Sequence, residues 1–311
     1  MIIRPEQVND YSEIALLNVQ AFGNRTVEAI IVALHRQRRV FDPELSLVAE
    51  INGRIVGHVL FSPHQMRLLN QTTPVVNLAP IAVDPAYQGQ GIGGQLIAEG
   101  HRIAAAKSYR MSVLLGHPTY YPRFGYHTHA YGIAKLAISI DALSEELLET
   151  RNPTSEDVPL LYDLWQREEA AVDMVFEPDR DLLDWLSPNP AIRAEVYLRN
   201  NAVVGYTRIH SEEPTSPRAF LARDHEAARA MVVTMNHVWQ KDATGTEYIL
   251  PLHPFSASAQ AFGSANATCE SWAAGMAYAL GPGPLDDYLA QVRAGQRPPG
   301  RIIWPVAFDL D

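Results

Sequence analysis

The 311-residue chain has a single cysteine, Cys269, so it cannot form an internal disulfide, and a cysteine-rich zinc site is excluded. No apolar run approaches 18 residues, so no membrane span is expected. The N-terminus, M-I-I-R-P-E-Q, lacks the basic lead and long apolar stretch of a signal peptide, which makes a cytoplasmic location the expectation. Positive charge is also scarce: 25 Lys and Arg stand against 35 Asp and Glu, for a net charge of −10. Residues 1–150 carry 12 basic against 13 acidic side chains, and residues 151–311 carry 13 against 22. Nucleic acid and anionic membrane both need basic footprints, so neither is an expected partner. The acidic second half serves solubility, or steers a cationic substrate from a distance.

What is present is a soluble-type composition, 47% hydrophobic and 19% charged, with length enough for two domains. Up to residue 130, helix and strand signals alternate. They comprise a strand at 1–4, helices at 11–22 and 27–38, strands at 45–51 and 54–69 around Asn52-Gly53, a strand at 75–83, a helix at 92–107, a buried strand at 111–115 and a short helix or turn at 119–124. Antiparallel hairpins followed by helical crossovers predict a mixed α/β sheet. Around 139–153 the pattern loosens, with Glu145, Glu146, Glu149 and Asn152-Pro153, and the domain boundary is placed at 150. The second half then repeats the order. Helices are read at 156–171 and 180–186, strands at 193–199 and 202–210 around Asn200-Asn201, a strand near Phe220, a helix at 225–240 and a strand at 247–252. It reads as a shortened, degenerate copy of the first half. A turn and helix at 281–292 follow, and the tail P-P-G-R-I-I-W-P-V-A-F-D-L reads as a terminal strand.

The most specific segment is V-D-P-A-Y-Q-G-Q-G-I-G-G-Q-L at 83–96, with Gly89, Gly91, Gly93 and Gly94 between a strand and a helix. Backbone N–H groups converging at a helix N-terminus suit a phosphate or pyrophosphate. The spacing satisfies the dinucleotide fingerprint G-x-G-x-x-G, yet the next strand ends in Gly116-His117 without the acidic residue that a ribose needs. A P-loop fails because no Gly-Lys-Ser/Thr follows. In the second half, Arg223-Asp224-His225-Glu226 stands where the cradle would be. Asp224 reads there as a helix N-cap, and no nucleotide is expected.

Read as Gln88-x-x-Gly91-x-Gly93, the turn resembles the acyl-CoA-binding motif of the GNAT N-acetyltransferase superfamily. L-A-P-I-A-V-D-P-A-Y-Q-G-Q-G-I-G at 78–93 is similar to that family's central strand and loop, and Y-Y-P-R-F-G-Y at 120–126 to its later tyrosine segment. V-G-H-V-L-F-S-P at 56–63 resembles the YhbS-like subgroup, and the likeness spans roughly residues 1–135. It implies a mixed-sheet GNAT α/β fold, with an acetyltransferase domain at 1–150 and a degenerate, cradle-less GNAT-like domain at 151–311. The cofactor it implies is acetyl-CoA. Backbone amides of Gln88, Gly89, Gln90, Gly91, Ile92, Gly93 and Gly94 would hold its pyrophosphate. Main-chain groups of Ile81, Ala82 and Val83 would pair with the pantetheine arm and polarise the thioester. Tyr121 would protonate the leaving thiolate.

The chain departs from the family at Leu114 and His117, where an Asn and a small Ala are frequent. His117 reads as a loop residue, a cofactor contact or a base. Tyr120 is either core or substrate wall. No general base is assigned, since 75–83 offers Asn77 but no carboxylate before Asp84. His127-x-His129 is spaced for one strand face but lacks a third ligand, so no metal is expected. The implied reaction is acetyl transfer to a primary amine of a small molecule or peptide by direct attack in a ternary complex, because no cysteine is placed for an acyl-enzyme. The acidic residues around 168–173 are candidates for attracting that amine. The competing reading is an acyl-CoA-binding regulatory protein without turnover.

Overall fold

A computed structural model describes residues 1–143 and 146–310 of the chain, so Glu145 lies outside the described residues. In the first half, strand β1 (Ile2–Pro5) precedes helices α1 (Tyr11–Ala21) and α2 (Val27–Gln37). Strands β2 (Ser46–Ile51), β3 (Arg54–Leu68) and β4 (Gln71–Val83), helix α3 (Ile92–Ala106) and strand β5 (Met111–Leu115) follow. In the second half come β6 (Gly132–Ser139), β7 (Glu149–Arg151), α4 (Val158–Glu168), β8 (Val175–Glu177), β9 (Ile192–Arg199), β10 (Ala202–His210) and β11 (Ala219–Ala222). Helix α5 (His225–Gln240), strands β12 (Glu247–Leu250), β13 (Thr268–Ser271) and β14 (Gly275–Ala279), and helix α6 (Leu285–Arg293) complete the chain. Asn52 and Gly53 both take positive φ (53° and 77°), as do Asn200 and Asn201 (50° and 62°). That is the backbone twist a two-residue hairpin demands.

The chain divides into two compact units, but not by one cut at 150. The first comprises Met1–Ala130 with Trp272–Ala294 and Leu310, and the second Tyr131–Ser271 with Gly295–Asp309. Six strands of the first unit run in the order β1-β2-β3-β4-β5-β14, antiparallel except for the β4–β5 pair. Alternation along β3 and β4 sends Val59, Phe61, Val76 and Leu78 toward Ile92, Leu96 and Ile97 of α3. Leu60 and Ala82 pack instead with Ile14 and Leu17 of α1 and Val32 of α2. Each such fully buried aliphatic side chain contributes about 1.5–3 kcal/mol, so the two helical layers fix the central strands from both faces.

In the second unit, β11-β10-β9-β7 form one antiparallel sheet and β12-β6-β13 another. Hairpin, third strand, helix and further strand recur there in the order of the first unit. The difference is that β12 pairs with β6, while among the described residues β11 has only β10 beside it.

Three expectations are corrected. The tail contains no strand: Arg301 forms an isolated bridge with Gly132, and Val306–Phe308 is a 3-10 turn, since Pro298, Pro299 and Pro305 supply no N–H for a ladder. The helix read at 180–186 shrinks to the 3-10 turn Leu182–Asp184, capped by the Asp181 carboxylate on the Leu183 N–H at 3.0 Å. His127 and His129 do not share a strand face, because His129 is at φ 58°. Strands β6, β7, β8, β13 and β14 have no counterpart in the sequence reading.

Candidate functional site

The glycine turn begins where β4 ends. Asp84 caps the 3-10 turn Pro85–Tyr87 by accepting the Ala86 N–H at 2.9 Å, and pairs with Arg54 at 2.6 Å. The exposed Gln88 side chain donates to the Val83 carbonyl at 3.1 Å, closing the loop onto the strand that precedes it. Gly89 and Gly91 then adopt φ of 76° and 80°, a region that costs any residue with a Cβ. A Cβ on either would meet nothing within 4 Å, so the space in front of them is open. Gly93 and Gly94 are needed for the opposite reason. A Cβ on Gly93 would stand 2.6 Å from the Tyr120 hydroxyl, and one on Gly94 2.7 Å from the Phe124 ring. The tyrosine segment is thus packed on the first turn of α3.

Gly91 is the N-cap of α3 and offers no side-chain cap. The Gln95 N–H bonds the Gly91 carbonyl at 3.1 Å. The N–H groups of Ile92, Gly93 and Gly94 precede it, in the turn that has no intrahelical acceptor. Open donors and the positive end of the helix dipole therefore face the space left by Gly89 and Gly91.

Beside the turn the sheet opens. Strand β4 pairs with β5 only through Val75, Val76 and Asn77, against Met111, Ser112 and Val113. From Leu78 to Val83 it keeps β3 on one side, and no strand pairs its other edge among the described residues. Ala79 and Pro80 together oppose Leu60, a bulge that bends β4 at the opening. Ile81, Ala82 and Val83 lie in this unpaired stretch. The structure thus brings the ten residues proposed to bind the cofactor into one continuous strand-edge-and-turn surface.

Tyr121 heads the 3-10 turn Tyr121–Phe124, with its ring against Gly116 and edge-on to Tyr120 and Tyr126 at 5.0 and 5.8 Å. Burial, then the neighbouring Tyr120, pushes its phenol up to about 12, so it keeps its proton at neutral pH. His117 is exposed, and its carbonyl accepts the Tyr120 N–H at 3.1 Å, a turn contact within its loop. Leu114 is fully buried in the core. A buried chain escaped sequence reasoning: Tyr126 bonds Ser112 at 2.6 Å and His101 at 2.9 Å, and Tyr278 stacks on His101 at 4.3 Å. Tyr278 arrives on β14, far along the chain, and no local signal announces it.

In the second unit the Asp224 carboxylate accepts the Ala227 N–H at 2.8 Å and so caps α5. The acidic residues at 168–173 do not face solvent. Glu168 and Glu169 are fully buried, and Asp173 is 6% exposed. Ser258 donates to Glu168 through its hydroxyl at 2.6 Å, Arg301 pairs with Glu169, and Arg297 with Asp173. The expectation that they attract a cationic amine is corrected: their charge is met inside the unit. The Cys269 thiol is pushed up to about 12 by burial, so it stays protonated and unreactive. Among the described residues no group of three His, Cys, Asp or Glu is placed to hold a metal. No helix among them is long and apolar enough to cross a membrane.

A mixed sheet opening between β4 and β5, with a glycine turn at the helix beyond, has the layout of the GNAT class. Residues 3–129 match the sequence model of the acetyltransferase (GNAT) domain. The chain is 38% identical over 118 residues to the uncharacterized N-acetyltransferase YjhQ of Escherichia coli, a match spanning 38% of this chain and 65% of YjhQ. It is 34% identical to the GNAT-family N-acetyltransferase YhbS of Escherichia coli, solved in complex with CoA (42% of this chain, 71% of that one, TM-score 0.38). A GCN5-related N-acetyltransferase from Kribbella flavida, 15% identical, shares the fold over 90% of this chain and 72% of its own, with a TM-score of 0.69. Through its first unit, this chain belongs to the GNAT acetyltransferase family.

Proposed function

We propose that the protein is an N-acetyltransferase that moves an acetyl group from acetyl-CoA to a primary amine, with both bound together. The observation that carries this reading is the uncapped N-terminus of α3 beside the unpaired edge of β4. An anion and an extended arm can be held there in succession. The N–H groups from Gln88 to Gly94 would bind the pyrophosphate, and the main chain of Ile81, Ala82 and Val83 would align the pantetheine arm as a further strand would. Acetyl-CoA supplies an acyl group activated as a thioester. Main-chain donors on the β4 edge stabilise negative charge that develops on its carbonyl oxygen. Tyr121, neutral at physiological pH, is the proton donor for the departing sulfur, whose ordinary pKa of about 8.5 makes that transfer undemanding.

The second unit has its own helix cap in place of a cradle, and its role is structural or on the acceptor side. Titration calorimetry with acetyl-CoA, followed by CoA release across a panel of polyamines, amino sugars, amino acids and peptides, tests the reading. Binding with amine-dependent release is expected. Binding without release on any amine would favour a regulatory CoA-binding protein, and absence of binding would sink both.

A further inference from the structure

Asn77 is fully buried, yet neither its side-chain oxygen nor its side-chain nitrogen has a hydrogen-bond partner among the described residues. A buried amide left in this state weakens the fold, and such groups in native proteins are met by water or ligand. Its place is specific. Asn77 makes the last of the three β4–β5 pairs, so it stands where the opening between these strands closes. Across β3 it faces Ser62, whose hydroxyl donates to the Asn77 carbonyl at 3.4 Å and lies 3.4 Å from His64 Nε2. That imidazole is itself 3.2 Å from Arg38 Nη1. The buried polar side chains Ser62, His64 and Asn77 therefore cluster at one spot on the central strands.

We propose that Asn77 is a positioning residue. Its amide holds a water at the closed end of the β4–β5 opening, and this water takes the proton that the acceptor ammonium must lose. The inference rests on the acetyltransferase reading. The water takes one proton from the nitrogen and passes it to solvent, the freed lone pair forms the C–N bond, the C–S bond breaks as Tyr121 protonates the sulfur, and the second proton lost by the nitrogen restores Tyr121. Burial and the adjacent Arg38 keep His64 neutral, leaving its ring able to accept a hydrogen bond and extend the polar path.

Asn77→Leu, nearly equal in volume, separates this role from a structural one. With no acceptor present, the same water is the nucleophile. Its oxygen bonds the acyl carbon, the C–S bond breaks, and acetate and CoA thiol are released, one of the water's protons going to the thiol and the other to solvent. In Asn77→Leu the free protein is expected to melt about 2–6 °C higher, because a buried amide met only by water gives way to an apolar side chain. Acetyl-CoA should bind within twofold of the wild type, and acceptor-free CoA release should fall at least tenfold. A lower Tm with unchanged release would overturn the proposal, as would a wild type that binds acetyl-CoA but releases no CoA above background. If Asn77→Leu does not fold, Asn77→Asp decides: release within threefold of wild type supports a water-holding role, and a greater loss refutes it. Failure of the wild type to bind acetyl-CoA would instead remove the parent reading.

Discussion

Helices α3 and α5 both follow the third strand of an antiparallel meander, and they begin in opposite ways. Before α3 the chain spends eight residues on a 3-10 turn and two positive-φ glycines, and it reaches the helix with no side-chain cap. Before α5 it spends two, and the second, Asp224, places its own carboxylate on the Ala227 N–H. An N-cap carboxylate and a ligand phosphate compete for the same donors, so one residue decides whether a helix start is finished or available. The neighbouring strands agree with that choice. Strand β4 separates from β5 beside the open helix, whereas among the described residues β11 has β10 as its strand partner and β12 pairs with β6 in another sheet.

The largest expected effect comes from giving α3 what α5 has. Gly91→Glu would put a carboxylate and a strained φ at the open helix start. It should weaken acetyl-CoA binding more than 100-fold by calorimetry, while Asp224→Gly in the second unit should leave that binding unchanged.

A second contrast is in the response to pH. Burial, then the adjacent Glu169, pushes Glu168 up to about 8, against bonds from Ser258 and the field of Arg301. The folded second unit therefore binds a proton that the unfolded chain releases above its ordinary pKa near 4.3. Stability is full below that value and falls as pH rises toward 8, by on the order of a few kcal/mol. The buried histidines of the first unit have the opposite sign. Burial lowers His101 to about 4, and burial with Arg38 lowers His35 to about 3, so their contribution is lost as pH falls below the ordinary value of 6.5. Hydrogen exchange between pH 6.5 and 8 should show the second unit loosening while the first holds, and Glu168→Gln should abolish the difference.

Smaller changes probe each site separately. Tyr121→Phe should lower kcat about tenfold with little change in acetyl-CoA affinity. Because the wild-type phenol ionises only near 12, Tyr121 ionisation should cause no alkaline loss of kcat below about pH 11. Unchanged kcat in the variant would remove Tyr121 from the acid role. The mildest effect is that of Asp224→Ala, which should cost about 1 kcal/mol in urea unfolding and leave turnover intact.

What was legible in the sequence was local. Asn52-Gly53 and Asn200-Asn201 announced their hairpins, and Gly89 and Gly91 announced a turn that few other residues can make. Asp224 could be read as a cap from its place before a helical pattern. What was hidden depends on distance along the chain. The partners of Glu168, Glu169 and Asp173 are Ser258, Arg297 and Arg301, so a charge count could not reveal that this acidity is internal. Nor could strand propensity show that β12 would choose β6, or that Tyr278 would stack on His101. That the Asn77 side chain meets no partner among the described residues is likewise a property of its surroundings, invisible in the letter N.

The outer edge of the first sheet carries a consequence for synthesis. Strand β5 lies between β4 and β14, whose residues Gly275–Ala279 pair with Leu115–Met111. At ribosomal rates of about 5–20 residues per second, roughly 160 residues separate the two strands, so they emerge about 8–30 s apart. During that interval the apolar edge M-S-V-L-L is complete but unclaimed, next to the nascent cofactor site. A gene cut at residue 150 would make that interval permanent. The complete first unit therefore includes residues 272–294.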